Sequence, residues 1–452
     1  MRAQSPQRQT RSWPRTWVLL LTTVITAGCG AAPASTAGTV APASSATSQA
    51  PLASAALAPS PAPSPGAQQT ALTYAFPDDQ ASALAATELV KVYTAAHPEV
   101  QINAKPLPAK DYPQQLLAQI DADAPDLFVT ADAQAPALIK REALLDLRSL
   151  LAGGSQLRAD DFQPAALAAW QRGDALYGLP ADVVPQVLFY NQDLFDAGGV
   201  SYPAAGWTWD DWLAKAQRLT VRKDGQVTSY GTALGTWAGM VWGNGGELVD
   251  QAGARTLLDS PKAAAGVQFA ADMVNVHRVA PPPKDAGGPD PAQLFREQHV
   301  AMMPGPSSLA GALLGAKLPF KWAIAPLPAG PVPASPLSIS GMAVSARSEH
   351  QQAALDFAAW VVGPAGSAVK AGILPFAAPA LRAAAARPAK VSGADAILQA
   401  LDHGRTLPQV EPWPQVKALV DKALVPVWQG KTTAAEAYRE VAPEVNALLG
   451  GA

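Results

Sequence analysis

A chain of 452 residues with 49% apolar content has room for two or three domains of ordinary size and ample core. Its formal charge of −3 is unevenly spread: Arg2, Arg8, Arg11 and Arg15 are the only charges before Asp78, and without them 29 basic residues face 36 acidic ones. That balance excludes a nucleic-acid backbone as the expected partner, because such binding needs clustered Lys and Arg.

The first 29 residues have a basic start, a mostly apolar run from Thr16 to Gly28, and Ala27-Gly28-Cys29. This tripartite pattern is that of an export signal, and the run is short for a membrane span. Cys29 is the only cysteine, so no disulfide forms within the chain. Thr26-Ala27-Gly28-Cys29 resembles the lipobox of bacterial lipoproteins, in which the cysteine is lipidated and becomes the new N-terminus. Thr26 stands where that family most often has leucine; an ordinary cleaved signal or a retained anchor are the alternatives. From residue 30 to 70 the chain is almost wholly Ala, Pro, Ser, Thr and Gly, without charge or aromatic residue before Thr70. Such composition buries too little apolar surface to offset ordering entropy, and predicts a flexible tether between membrane and folded body.

The body opens with a β-type run, Leu72 to Phe76, ended by Pro77-Asp78-Asp79. Apolar residues from Ala81 to Tyr93 recur at helical spacing until His97-Pro98 stops them. Val100 to Ala104 alternates as a strand, a helix follows from about Tyr112 to Ile120, and Leu127 to Thr130 reads as another strand. With a helix at about Ala135 to Lys140 the opening is βαβαβα, which implies a mainly parallel sheet flanked by helices. Tyr177 to Asp182 and Val187 to Phe195 form two apolar runs around a Gly-Leu-Pro break, which marks a crossing between two units. Asn191 is expected to cap the turn at Asp193-Leu194-Phe195. Trp207-Thr208-Trp209-Asp210-Asp211-Trp212 starts a helix in which Thr208 caps and Asp211 completes a capping box. A helix from about Pro261 to Val276 precedes Pro281-Pro282-Pro283. Val300 to Ser307 and Leu337 to Val344 are two further candidate crossings, helices are expected at 351–362 and 434–449, and the rest of the last 90 residues reads as helices and loops.

Taken together these stretches resemble the extracellular solute-binding proteins of ABC importers, most closely the sugar-binding family that includes maltose-binding protein. The resemblance is carried in family order by the lipobox, Pro125 to Phe128, Leu144 to Leu147, Tyr177 to Pro180, Phe189-Tyr190-Asn191, Leu194-Phe195 and Trp209 to Trp212. It continues through Gly245 to Asp250, Ser260-Pro261, Ala301 to Gly305, Pro326-Leu327-Pro328 and Gly341 to Val344. It implies an α/β, two-lobed periplasmic-binding-protein fold, each lobe a mainly parallel sheet flanked by helices, with hinge crossings between. The lobes would be 71–181 plus 302–342, and 182–301 plus 343–452. The ligand would lie between them beyond the carboxyl ends of strands, and closure would be a hinge motion. By resemblance the protein is an exported monomer, anchored through lipid on Cys29, that delivers its ligand to membrane permease subunits and uses no cofactor.

A sugar offers apolar C–H faces ringed by hydroxyls, so its site needs flat aromatic surfaces with carboxylates or amides nearby. Trp237 and Trp242 are the first stacking candidates, with Trp413 another; packing within the second lobe is the competing role for each. Trp207, Trp209 and Trp212 are expected to be buried at their helix start. Phe76 and Asp78 follow the first strand and Asp132 another, positions that face a cleft, although either aspartate suits a helix cap. Asp182 is expected to face the cleft at the first crossing. Ser307 occupies a place where the family often has Trp, and Gly341 and Met342 offer backbone N–H groups, glycine permitting close approach.

An enzyme is the rival class, since glycosidases also use aromatic platforms. No paired-carboxylate motif or Gly-x-Ser-x-Gly elbow stands out, and His97, His277, His299, His350 and His403 are too scattered for metal ligation. Within the binding class, a polyamine or iron receptor stays open, because Asp78, Asp132 and Asp182 would serve a cation. A structural surface lipoprotein is the third class.

Overall fold

The computed structural model describes residues 69–149, 157–382 and 391–450. The signal, Cys29 and nearly all of the tether lie outside them; Thr70, assigned to the tether, already opens the first strand. In chain order the described strands are β1 (Thr70–Pro77), β2 (Val100–Leu107), β3 (Leu127–Ala131), β4 (Gln171–Arg172), β5 (Ala175–Leu176), β6 (Leu179–Asn191) and β7 (Val221–Lys223). They continue with β8 (Gln226–Thr232), β9 (Val300–Pro306), β10 (Trp322–Ala325), β11 (Ser335–Val344), β12 (Ala378–Pro379) and β13 (Gly404–Arg405).

In the first lobe β1 lies between β2 and β3, parallel to both, and β11 runs antiparallel to β3 and to the first half of β6. The first helix starts at a side-chain cap. Asp79 accepts hydrogen bonds from the N–H groups of Ala81 and Ser82 at 3.1 and 3.0 Å, starting the helix Gln80–Ala96. That helix buries Ala85, Ala86, Leu89 and Tyr93 against a core containing Leu72, Tyr74 and Leu127. In the second lobe β8 is parallel to β9, while β9 and β10 pair antiparallel with the second half of β6. Trp212, Val241, Val267, Val420 and Tyr438 belong to its core. The molecule is thus an α/β, two-lobed fold on one curled mixed sheet.

The predicted strand, break and second strand of the first crossing are one strand. β6 runs 13 residues, with Leu179 to Pro185 paired to β11 and Gln186 to Tyr190 paired to β9. Asn191 caps the next helix by accepting the N–H of Leu194 at 3.1 Å, and Thr208 and Asp211 form their capping box. Within 302–325, Met303, Leu313, Phe320 and Ile324 bury beside Phe189 and Val300. The helix Gln351–Val362 packs Phe357, Ala358 and Val361 in one core with Leu72 and Tyr74.

Two expected ligand contacts turn out to hold the first lobe together. Gly341 is glycine because a Cβ there would sit 2.4 Å from the ring of Trp170, and Gly178 meets the same ring at the same distance. The fully buried indole fills the gap between the two backbone segments, so the close approach served is that of a tryptophan. Asp182, expected to face the cleft, is held in an ion pair: its Oδ1 is 2.9 Å from Lys370 Nζ, with side chains 15% and 6% exposed. Breaking one member of such a buried pair strands the other charge, at a cost of about 3–5 kcal/mol. Lys370→Met is therefore expected to lower the urea midpoint sharply, and adding Asp182→Asn to recover much of the loss. A midpoint unmoved by Lys370→Met would show that the pair contributes nothing.

Candidate functional site

Beyond the carboxyl ends of β8 and β9, where open α/β sheets present ligand sites, lies a cavity of about 400 Å³. Its wall takes Gln186 from the middle of β6, Pro304 to Pro306 from the end of β9 and Pro336 to Ser338 from β11. Both lobes and the strand they share thus reach it. The second lobe adds the turn from Ala233 to Ala238 after β8, the loop from Pro281 to Asp285, and Lys417, Asp421 and Trp428 from the helix Trp413–Trp428.

Thr236 caps the helix Trp237–Gly243 by accepting the Gly239 N–H at 3.3 Å, which sets Trp237 at the first helical position, facing the cavity. The indole Nε1 donates to Asp421 Oδ1 at 2.8 Å, and the other carboxylate oxygen accepts from Lys417 Nζ at 2.6 Å. The ring leans on Trp413, centroids 6.4 Å apart, and remains 9% exposed. A fixed aromatic surface beside an amide and two hydroxyls, those of Gln186, Thr236 and Ser338, can hold a small polyhydroxylated solute by its faces and its rim. A smaller space of about 40 Å³, with Trp209 and Trp212 in its wall, shares Gln186, Gly235, Thr236, Pro304 and Pro336 with this cavity.

Of the residues expected at the site, Trp237 lines the cavity and Trp413 backs it. Trp242 is buried under the Arg405 guanidinium, 5.1 Å from its ring centroid, and Arg405 is in turn paired with Glu247. Phe76 packs on Tyr74 in the first-lobe core, and Met342 is buried in the same core. Asp78 is exposed at the end of β1, the capping duty having gone to Asp79. Ser307 is fully buried and donates to the Phe376 carbonyl at 2.7 Å, so it shapes the backbone and leaves the cavity to others. Missed from sequence were Gln186, Ser338, Asp285, Leu407, Lys417, Asp421 and Trp428. For the helix a signal existed: 413, 417, 421 and 428 share one stripe at helical spacing.

Asp132 sits next to the cavity without lining it. Its Oδ1 accepts the Ile339 N–H at 3.3 Å and its Oδ2 accepts from Gln409 Nε2 at 3.1 Å, while Arg172 donates to Gln409 Oε1 at 3.2 Å. Burial pushes its carboxyl up to about 6, against which these hydrogen bonds work. The folded chain therefore holds this proton more tightly than the unfolded chain. The resulting stabilisation is complete below the unfolded value near 4 and is lost as pH rises through about 6, an effect on the order of 3 kcal/mol. Asp132→Asn keeps an acceptor and removes the titration. Urea melts at pH 4.5 and 7 are expected to show the variant gaining on the parent at the higher pH; an equal difference at both would refute the assignment.

The sequence profile of bacterial extracellular solute-binding proteins matches residues 67–368. An arabinooligosaccharide-binding protein of Halalkalibacterium halodurans is 27% identical over 210 residues, 44% of this chain and 46% of the relative. A protein of the same description from Bacillus subtilis is 27% identical over 213 residues, 45% and 48% of the two chains. The chain spans about half the length of these two relatives. Among solved structures, an ABC substrate-binding protein from Listeria monocytogenes in complex with cycloalternan superposes with a TM-score of 0.75 at 24% identity, covering 84% of this chain and 99% of that one. The sugar-binding protein MalE of Xanthomonas citri gives 0.75 at 18% identity, covering 84% and 98%. Those two likenesses show the fold, and the profile match over well more than half of the sequence shows the family: the chain belongs to the bacterial extracellular solute-binding proteins.

Proposed function

We propose that this protein is the substrate-binding component of an ABC-type importer that captures a mono- or oligosaccharide in the cavity against Trp237 and passes it to a membrane permease. The observation that carries this reading is the indole of Trp237, held by Asp421 and Trp413 at the edge of a cavity between the lobes. Sugars present C–H faces to such a ring and hydroxyls to amides and carboxylates around it. Family membership and relatives described as arabinooligosaccharide-binding support the same class of ligand. The protein acts by binding without turnover; its relatives are substrate-binding proteins. Export, with lipid on Cys29 and residues 30–70 as tether, would keep the capture domain near its permease. Hinge closure about β6 would release a bound sugar only at that partner.

Isothermal titration with arabinotriose, maltotriose and spermidine tests the reading. A saccharide is expected to bind with one site per chain and without hydrolysis, and spermidine is expected to give no heat beyond dilution. Trp237→Ala is expected to weaken saccharide binding about tenfold or more, the equivalent of one aromatic contact of about 1.5 kcal/mol. Spermidine binding alone, or an affinity indifferent to Trp237, would overturn it.

A further inference from the structure

The cavity carries a second message in its composition, and the inference rests on the saccharide reading above. Among the described residues its wall contains no arginine and no histidine, and its two lysines are already engaged. Lys284 Nζ lies 2.9 Å from Asp290 Oδ2 and Lys417 Nζ 2.6 Å from Asp421 Oδ2. Seven of the 23 lining residues are prolines, namely Pro281 to Pro283, Pro291, Pro304, Pro306 and Pro336, and these bring no N–H group. The wall is also rigid where it is richest in proline. A Cβ on Gly288 would lie 1.8 Å from the Pro282 carbonyl oxygen, so the loop closes tightly on itself, and the N–H groups of Ala286 and Gly288 are spent on Pro283. Within this loop Asp285 is exposed, lines the cavity, and has no ion pair among the described residues.

An anionic solute entering here would lose water for few compensating donors, the Gln186 amide and the Thr236 and Ser338 hydroxyls, with both lysines already neutralised by carboxylates, and would meet the Asp285 carboxylate at the edge. A neutral polyol brings its own hydroxyl donors and suffers neither penalty. We infer that the cavity rejects acidic saccharides in favour of neutral ones, the donor-poor proline wall supplying the barrier and Asp285 adding a like charge at its edge. The ligand class is thereby narrowed to neutral polyhydroxylated molecules, with uronic acids and sugar phosphates excluded.

The experiment is a competition titration of the purified protein with neutral arabinotriose and maltotriose against trigalacturonate and maltose 1-phosphate, at low and at high ionic strength. The better neutral probe is expected to bind about tenfold or more tightly than either acidic one at low salt, with the ratio falling as salt screens the charge. Asp285→Asn is expected to narrow the ratio, and Asp285→Lys to narrow it further; both replace an exposed side chain, so folding is checked simply by their melting curves. Equal affinity for neutral and acidic probes, or a ratio indifferent to both substitutions, would overturn the inference while leaving the saccharide reading in place. Failure of all four probes to bind would overturn the saccharide reading and this inference with it.

Discussion

Everything in this fold depends on one strand belonging to two sheets' worth of partners. The backbone of β6 hydrogen-bonds β11 over its first half and β9 and β10 over its second, so both lobes are assembled on the same 13 residues. Gln186 marks the change of partner: Pro185 is the last residue in register with β11, and Gln186 the first in register with β9. That residue also lines the cavity. A site placed there is reached from both lobes while resting on backbone that neither can move without the other, which is the property a clamp needs.

A second connection runs along the C-terminal part of the chain. From β13 to the helix Trp413–Trp428, Arg405 holds Glu247 and covers Trp242 of the second lobe, while Gln409 binds Asp132 and Arg172 of the first and Glu411 lies 3.4 Å from Lys140. Leu407, between those anchors, lines the cavity. The same segment therefore bridges the lobes and forms part of the cavity wall. Its continuation carries Lys417 and Asp421, which fix Trp237. Aromatic surface and the polar groups that orient it thus come from elements nearly 200 residues apart.

Much of the architecture was legible in the sequence because local chemistry and global fold agree. The βα alternation, the Asn191 and Thr208 caps and the proline stop after His97 each have a nearest-neighbour cause, and each is present. The site was less legible because a side chain's partner across the fold decides its role. Asp182 looks like a cleft carboxylate until Lys370 arrives from 188 residues on, and Gly341 looks like a ligand contact until Trp170 is placed against it. Asp78 and Asp79 are adjacent and chemically identical, and only the helix's actual start tells which one caps. Conversely the proline wall is built from four separate stretches that nothing in local periodicity would associate.

The central claim is that the ligand sits at the junction of the shared strand, against Trp237. A crystal structure of the protein grown with a bound saccharide tests it most directly. The account predicts a sugar ring lying over the Trp237 indole within hydrogen-bonding reach of Gln186 or Ser338. A ligand bound elsewhere, with the cavity beside β6 filled only by water, would contradict it.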